Sequence, residues 1–221
     1  MNPYDFFASF YQEHYDHGLK DIFLELIFAH TIKTSTLEIG AGPGLISLAL
    51  ADAGYQVTAT DISDNFLTMI QQSASDKSLQ LNTELYDVLT PKDETYGLVI
   101  MVFDVINHLE TLDQFATAIE HLERLTEPGG YYLFDIIKAS YFEQLVGYQE
   151  TFKTQDESLI WTVKQGTFKH SVRHQFQKAG QIQTLNQRTF DDKTLESLLK
   201  NHQRVKTVEC EDRKIYLFQK K

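Results

Sequence analysis

The chain has little of what stabilises secreted or membrane-embedded proteins. Its 221 residues include one cysteine, Cys210, so no disulfide can form within the chain. No apolar run is long enough to span a bilayer, and the N-terminal residues lack the charged-then-apolar order of a signal peptide. These absences predict a cytoplasmic protein that does not enter a membrane.

Positive charge is also scarce. Lysine and arginine number 20 against 31 acidic residues, which gives a formal net charge of −11. Such a surface repels nucleic-acid phosphates and anionic lipids, so general nucleic-acid binding is disfavoured. Hydrophobic residues make up 42% of the chain, enough for the core of one domain, or of one domain with an inserted cap.

A glycine loop between an apolar strand and an apolar, alanine-rich helix is the main motif. It reads Glu38-Ile39-Gly40-Ala41-Gly42-Pro43-Gly44. Glycine allows a tight turn and lets a ligand lie on the backbone, while the following helix offers unpaired N–H groups. A dinucleotide fold requires a third glycine at position 45, which is leucine here. The loop therefore predicts a ligand site of another type.

The pattern E-x-G-x-G-x-G resembles the first motif of class I S-adenosylmethionine-dependent methyltransferases. A second resemblance comes from V-F-D-x-x-N-H-L at residues 102–109, followed by E-P-G-G-x-x-x-F-D at residues 127–135. These look like the fourth- and fifth-strand motifs of small-molecule members of that family. The N-P-P-Y or D-P-P-Y motif of several nucleic-acid and protein amide methyltransferases is absent, because the chain has only four prolines and none are adjacent.

Two aspartates are predicted at the ends of later strands. Asp61 follows a strand rich in β-branched residues. The number of residues between Gly40 and Asp61 is about that needed for one helix and one return strand. It fits a carboxylate that binds the ribose hydroxyls, although it could instead cap the helix near Ser63, for which Ser63 is available. Asp87 either contacts adenine, as the resemblance implies, or begins the turn before Pro91.

The resemblance implies S-adenosylmethionine as cofactor and a set of residues that contact it. The cofactor residues are Glu38, Gly40, Ala41, Gly42, Gly44, Asp61, Ile62, Asp87, Val88 and Phe103. Tyr4, Tyr11, Asn107 and Arg188 are expected on the substrate side. His108 is a candidate general base, with a hydrogen-bonded structural histidine as the alternative. Tyr4 and Tyr11 belong to an aromatic segment that either closes over the ligand or forms core. No metal site is predicted.

Residues 158–190 differ from the rest of the chain. They alternate as three antiparallel strands with a turn at residues 178–181, and they contain five cations and no acid. The cations are Lys164, Lys169, Arg173, Lys178 and Arg188. They could line a pocket for an anionic substrate, bind an acidic or RNA partner, or simply form a solvated strand face.

The C-terminal residues constrain the fold. The few residues between Cys210 and Ile215 cannot form a parallel crossover, so the last strand must run antiparallel. The predicted fold is α/β, a doubly wound seven-stranded sheet with its last strand reversed and a small antiparallel β cap. Residues 1–147 and 189–221 are predicted to form the cofactor-binding domain, and residues 148–188 the inserted cap.

The sequence thus favours an enzyme that methylates a small acceptor, with an anionic acceptor as one option. The alternative is a module that binds the cofactor or a nucleoside and contacts a protein or RNA partner through its basic cap. An oxidoreductase is a third hypothesis, which the sequence favours less than the other two. The oligomeric state and the acceptor atom are not encoded in these motifs.

Overall fold

The computed structural model describes residues 17–153 and 158–221. The predicted aromatic segment at residues 4–15, with Tyr4 and Tyr11, lies outside the described residues. Within the described ranges the chain forms one seven-stranded sheet with helices on both faces and a second, four-stranded sheet. None of these helices is long and apolar enough to cross a bilayer.

The elements of the large sheet alternate as expected for an α/β fold. In chain order they are α1 (His17–His30), β1 (Ser35–Ile39), α2 (Leu45–Asp52), β2 (Gln56–Asp61), α3 (Asp64–Asp76), β3 (Asn82–Leu85), β4 (Tyr96–Met101), a 3₁₀ helix (Val105–His108), α4 (Leu112–Leu125) and β5 (Thr126–Ile137). The chain then continues through α5 (Ala139–Leu145), β6 (Gln149–Lys153), β7 (Ser158–Gln165), β8 (Ser171–Lys178), β9 (Gln181–Arg188), α6 (Asp192–Leu199), β10 (Gln203–Glu209) and β11 (Arg213–Gln219).

The strand order of the large sheet is β3-β2-β1-β4-β5-β11-β10. Strands β1 to β5 pair in parallel, and β11 pairs antiparallel with both β5 and β10. The reversed last strand is therefore confirmed, for the predicted reason that a short turn cannot connect parallel neighbours. Successive strands are added outward from β1 on one side and from β4 on the other, and this reversal of strand order leaves a crevice at the carboxyl ends of β1 and β4.

Buried apolar side chains cover both faces of this sheet. Leu37, Val99 and Phe134 face a cluster with α4 and α6, and Ile100 and Leu133 face another with α1 and α2. Strand β4 is buried along its length, which explains its continuously apolar sequence. The sequence T-L-D-Q at residues 111–114 predicts a capping box, and Thr111 and Gln114 form it at the start of α4. Ser63 caps α3.

The sequence pattern predicts strands at residues 79–86 and 131–137, with residues 126–130 stopping the helix before the second strand, and both strands differ in length in the structure. Strand β3 has four residues rather than eight, because the backbone of Leu79 still closes the end of α3 by bonding the carbonyl of Ala74. Strand β5 begins at Thr126 rather than Tyr131. Its Gly129 and Gly130 backbones pair with Lys220 beyond β11, so the glycines predicted to stop the helix continue the sheet with a register shift.

The small sheet follows α5 and has four strands in the order β6-β7-β8-β9. Three strands were predicted; β6 is the additional one, and it pairs antiparallel with β7. The predicted turn between β8 and β9 is present as a two-residue hairpin loop, with Ala179 at φ 48° and Gly180 at φ 78°. One face of this sheet covers the carboxyl edge of the large sheet.

Candidate functional site

A cavity of about 620 Å³ lies at the carboxyl ends of β1, β2 and β4, between the large sheet and the small one. Its first end is lined by the glycine loop and by the residues after β2 and β3. Its second end is lined by the segment after β4 and by the small sheet. The side chains from the small sheet are Trp161, His174, Phe176, Leu185 and Gln187.

The glycine loop uses the conformational freedom of its three glycines. Gly40, Gly42 and Gly44 have φ values of +70°, +53° and +83°, in the left-handed region that other residues rarely adopt. A Cβ added at Gly42 would meet nothing within 4 Å. The backbone of Gly42 therefore faces open space in the cavity, where a ligand can lie directly against it.

Gly44 has a different role from its neighbours. It precedes α2 and does not line the cavity, and a Cβ at this position would lie 2.8 Å from Cγ1 of Ile70 in α3. Its small size lets α3 pack against the loop. Gly44 was predicted to contact the cofactor, but it does not line the cavity.

Asp61 connects the end of β2 to the glycine loop. Its Oδ2 accepts a hydrogen bond of 2.9 Å from the backbone of Gly42, and its Oδ1 accepts one of 2.9 Å from the backbone of Ser63. The cap of α3 is Ser63, whose hydroxyl accepts from Phe66. Ser63 rather than Asp61 therefore caps α3, and the Asp61 side chain lines the cavity.

Glu38 lies at the end of β1 and is 2% exposed. Burial raises the pKa of its carboxyl to about 7, against the lowering effect of a hydrogen bond from Ser47. A group with this pKa carries only part of a negative charge at neutral pH. A positively charged ligand in the cavity would favour its ionised form.

Residues after β2 and β3 form the wall expected for adenine. Asp87, Val88 and Ile62 line the cavity, and Val88 is 5% exposed. The Oδ1 of Asp87 accepts a hydrogen bond of 2.9 Å from the backbone N–H of Leu89, as expected for the turn predicted before Pro91. The turn occupies one carboxylate oxygen, so both readings of Asp87 are compatible with this geometry.

The backbone after β4 is strained. Phe103 and Asp104 have φ values of 60° and 55°, both in the left-handed region. The ring of Phe103 lines the cavity and packs edge-on against Phe23, with ring centroids 5.1 Å apart. Strain of this kind costs about 1–3 kcal/mol per residue and is common at functional sites.

Two predicted substrate residues lie outside the cavity lining. Asn107 is fully buried; its Oδ1 accepts from Ile137 at 3.0 Å and its Nδ2 donates to the carbonyl of Arg188 at 2.9 Å. The Arg188 guanidinium lies between the rings of Phe168 and Phe190, 4.5 and 4.7 Å from their centroids. These contacts join the small sheet to the large one.

His108 lines the second end of the cavity. Burial lowers the pKa of its imidazole to about 4, so the ring is neutral at neutral pH. The amide nitrogen of Gln187 lies 3.1 Å from its Nε2, and because an amide N–H only donates, Nε2 acts as the acceptor. The lone pair that a general base would use is thus directed at Gln187.

Sequence reasoning did not select several polar or aromatic residues at the second end. They include Asp104, Trp161, His174, Gln187 and Arg213, which all line the cavity. Asp104 belongs to the V-F-D motif and could have been selected from it. The other four come from separate strands, and only the tertiary structure brings them together.

The five cations of the small sheet are not part of the cavity wall. Lys164, Lys169, Arg173, Lys178 and Arg188 are all absent from its lining. Lys164 and Arg173 are exposed and lie opposite each other on neighbouring strands. Among residues 17–153 and 158–221, no three histidine, cysteine or acidic side chains are grouped as a metal site would require.

The fold and site define a nucleotide-type crevice with a covered second end, and comparison with known proteins identifies the family. Residues 36–130 match the family model described as a methyltransferase domain. YqeM of Bacillus subtilis (strain 168), whose name classes it as a methyltransferase, is 32% identical over 211 residues, covering 90% of this chain and 85% of YqeM.

Solved structures share the fold. An S-adenosylmethionine-dependent methyltransferase from Clostridium acetobutylicum superposes with a TM-score of 0.83 at 16% identity, covering 99% of both chains. CalS10 of Micromonospora echinaspora, an amino pentose methyltransferase solved with S-adenosylmethionine bound, gives 0.74 at 13% identity, covering 98% and 96%. The chain belongs to the class I S-adenosylmethionine-dependent methyltransferases.

The cavity fits the cofactor that this family uses, S-adenosylmethionine. The backbone of Gly42 faces open space that a side chain would fill, and Asp61 presents a carboxylate at the next strand end. The wall at this end also includes Glu38 and Asp87, and acidic groups suit a ligand that carries a sulfonium and an ammonium. When bound, the cofactor supplies an electrophilic methyl group.

Proposed function

We propose that this methyltransferase acts on a small acceptor held at the second end of the cavity, beneath the small sheet. The observation that carries the proposal is the continuity of the cavity, which runs from the glycine loop to Leu185 and Phe176. Its volume of about 620 Å³ lies within the range of about 300–1,000 Å³ that small-ligand pockets occupy. Cofactor and acceptor would then share one enclosed space.

The wall favours an acceptor without negative charge, against the option of an anionic acceptor that the basic residues of the small sheet had raised. Arg213 is the one lysine or arginine in the described lining of the cavity, and aspartates already bind it. Residues 1–16 and 154–157 contain no lysine or arginine either. An anionic acceptor would therefore meet no uncommitted cation.

The residues of the chain contribute positioning and exclusion of water more than covalent chemistry. The glycine loop, Asp61 and the wall at Val88 would hold the cofactor, and Phe103 would lie under the methyl group, as the family resemblance implies. The small sheet covers the second end with Trp161, Phe176 and Leu185. Alignment of two bound reactants in a dry site supplies most of the rate enhancement that a methyl transfer requires.

The relatives support a small acceptor without identifying it. CalS10 is an amino pentose methyltransferase, and KedS8 of Streptoalloteichus, with a TM-score of 0.77 at 12% identity, is a sugar N-methyltransferase. Both act on small molecules, and their chains are covered to 96% and 92% by this one. We infer from these relatives only that the acceptor of this protein is small, and not which molecule it is.

A pair of variants on β9 tests the placement of the acceptor. Leu185 faces the cavity and its neighbour Thr184 faces solvent. We expect Leu185→Phe to lower methyl transfer in a screen of small metabolites by about tenfold or more, with the affinity for S-adenosylhomocysteine unchanged. Thr184→Phe should change neither quantity.

Three results would contradict the proposal. Turnover that is unaffected by Leu185→Phe would place the acceptor elsewhere. Loss of S-adenosylhomocysteine binding in that variant would show that the cofactor, not the acceptor, occupies the second end. Cofactor binding without methyl transfer to any small molecule, together with binding of RNA or protein through the basic face, would favour the non-enzymatic alternative.

A further inference from the structure

A chain of hydrogen bonds runs from the small sheet to the strained segment after β4. The Nε1–H of Trp161 donates to Nδ1 of His174 at 3.1 Å. The Nε2 of His174 lies 2.9 Å from Oε1 of Gln187, and Nε2 of Gln187 donates to Oδ2 of Asp104 at 2.6 Å. Trp161, His174, Gln187 and Asp104 all line the cavity, and we call these four residues the relay.

The direction of every bond in the relay is fixed by the indole. An indole N–H can only donate, so Nδ1 of His174 must accept and its Nε2 must carry the hydrogen. That hydrogen goes to the oxygen of the Gln187 amide, which leaves the amide N–H groups for Asp104 and for His108. The relay therefore directs one amide N–H of Gln187 at the carboxylate of Asp104 and fixes the orientation of that amide.

Behind Asp104 lies a surplus of negative charge. Arg213 contacts Asp104 at 3.3 Å, Asp135 at 2.6 Å and Asp212 at 2.8 Å, so one guanidinium serves three carboxylates. Burial raises the pKa of Asp135 to about 6 although Arg213 lowers it, so this carboxyl is mostly ionised at neutral pH. Burial also lowers the pKa of both His108 and His174. The histidines therefore add no positive charge.

The backbone is arranged to bring Asp104 to the cavity. Its φ of 55° is held by the backbone N–H, which bonds both oxygens of Asp135 at 3.1 and 3.2 Å. A carboxylate has about four acceptor positions, and Gln187 and Arg213 occupy two of them. The others remain for a ligand that donates hydrogen bonds from the cavity.

Aromatic side chains complete this end of the cavity. The rings of Trp161 and Phe176 stack 6.1 Å apart with an interplanar angle of 12°, and both line the cavity. Aromatic faces attract cations as well as apolar groups. A surplus of carboxylates beside aromatic rings is complementary to an amine in its ammonium form.

We propose that the acceptor is a small amine and that Asp104 is the catalytic residue that binds its nitrogen, with Gln187 as a positioning residue. The inference rests on the proposed function, because it assigns the chemistry of the same second end of the cavity. The carboxylate cluster also stabilises the positive charge that reaches the nitrogen as methyl transfer proceeds.

In this arrangement a proton transfer precedes the methyl transfer. The bound ammonium gives one proton to the carboxylate of Asp104 and becomes a neutral amine. The nitrogen lone pair then forms the C–N bond, the C–S bond breaks, and its electron pair remains on sulfur. The methylated nitrogen is a cation, and Asp104 releases the first proton to water, so each turnover releases one proton.

Three probes with one ring and different polar groups test the chemical class. They are benzylamine, benzyl alcohol and benzoate, each titrated calorimetrically at neutral pH into protein saturated with S-adenosylhomocysteine. We expect benzylamine to bind at least about tenfold more tightly than either of the others. Equal or tighter binding of benzoate or benzyl alcohol, or no binding of benzylamine, overturns the proposal.

Three variants test the residue. Asp104→Asn should lower benzylamine affinity by about tenfold or more, since a charged hydrogen bond is lost. Asp104→Glu keeps the charge and should recover at least part of the affinity. Glu110→Gln removes an exposed carboxylate that bonds Asn186 near the same sheet, and it should leave affinity within about twofold.

The two proposals fail in different ways. All variants must still bind S-adenosylhomocysteine, which shows that each is folded; if Asp104→Asn does not, Asp104→Glu carries the test alone. The role of Asp104 is overturned if Asp104→Asn leaves the benzylamine affinity unchanged. It is also overturned if Asp104→Glu lowers that affinity by the tenfold or more expected of Asp104→Asn. Benzylamine that binds wild type and Leu185→Phe equally would instead overturn the location of the acceptor, and with it the proposed function.

Discussion

The side chain of Asp61 holds the backbone of Gly42, with 2.9 Å between Oδ2 and the amide nitrogen. This bond joins the end of β2 to the glycine loop after β1. Because its Oδ1 also binds Ser63, Asp61 fixes two backbone segments that border the cavity. The same carboxylate that the resemblance assigns to the ribose therefore also shapes the loop beneath the cofactor.

Replacing Asp61 should weaken cofactor binding through both effects. Charge-assisted hydrogen bonds contribute about 1.5–3 kcal/mol each, so Asp61→Ala should raise the Kd for S-adenosylhomocysteine by about 10- to 100-fold. Calorimetry measures this change. Asp64→Ala, an exposed acidic residue three positions later, is the control. An affinity within about twofold of wild type in Asp61→Ala would contradict the assignment.

Alanine substitutions at two glycines of the loop should differ in their effects on cofactor binding and on stability. Gly42→Ala places a methyl group in open space in the cavity, so we expect weaker S-adenosylhomocysteine binding and a loss of stability of about 1 kcal/mol from its positive φ. Gly44→Ala meets Ile70 at 2.8 Å and should lose more stability. Urea denaturation and calorimetry separate the two effects. A larger loss of stability in Gly42→Ala than in Gly44→Ala would contradict this account.

The raised pKa of Glu38 predicts proton release when the cofactor binds. At neutral pH, near its pKa of about 7, the carboxyl is partly protonated, and a nearby cation lowers the pKa and expels that proton. S-adenosylmethionine should release more than S-adenosylhomocysteine, which lacks the sulfonium charge. Calorimetry in buffers of different ionisation enthalpy measures the release. Glu38→Gln should abolish the difference; equal release by both ligands in wild type would refute the role of Glu38.

The lowered pKa of His108 predicts acid sensitivity of the fold. Its pKa is about 4 in the folded state and about 6.5 when unfolded, so between these values the unfolded state binds more protons. This contribution to stability is present above pH 6.5 and decreases as the pH falls towards 4. At pH 5 the loss from His108 amounts to about 2 kcal/mol.

Denaturation by urea at neutral pH and at pH 5 tests this prediction by comparing wild type with His108→Gln. The variant should lose about 2 kcal/mol less than wild type on acidification, because its side chain does not titrate. His30→Gln, in the last turn of α1, is a control that should follow wild type. Parallel pH dependence of wild type and His108→Gln would contradict the assigned shift.

Local patterns sufficed for much of the fold. The capping box at Thr111 and Gln114 and the hairpin loop at Ala179 and Gly180 depend on residues close in sequence, and the structure confirms both. Strand β6 was missed because its five residues alternate between exposed and half-buried positions and carry no strong apolar pattern. Its pairing with β7 is what makes it a strand.

Residues near the glycine loop were also accessible from sequence, since the loop, Asp61 and Asp87 occur at strand ends that a parallel sheet brings together. The second end of the cavity was not. Asn107 and Arg188 were expected there, but both lie outside the lining, where the side-chain amide of Asn107 donates to the backbone carbonyl of Arg188. Trp161, His174 and Gln187 line it instead, because alternation places them on the inward face of strands whose register no local pattern encodes.

The order of apolar strands, glycines and helices along the chain determined the α/β class, the reversed last strand and the cofactor family, because short-range sterics and loop length control these features. Only the tertiary structure decided which side chains line the second end of the cavity. The five basic residues are absent from the cavity lining, while Asp104 and Arg213 meet there from strand ends that are distant in sequence. Strand register and the packing of one sheet over the other set that outcome, and both depend on contacts between remote parts of the chain.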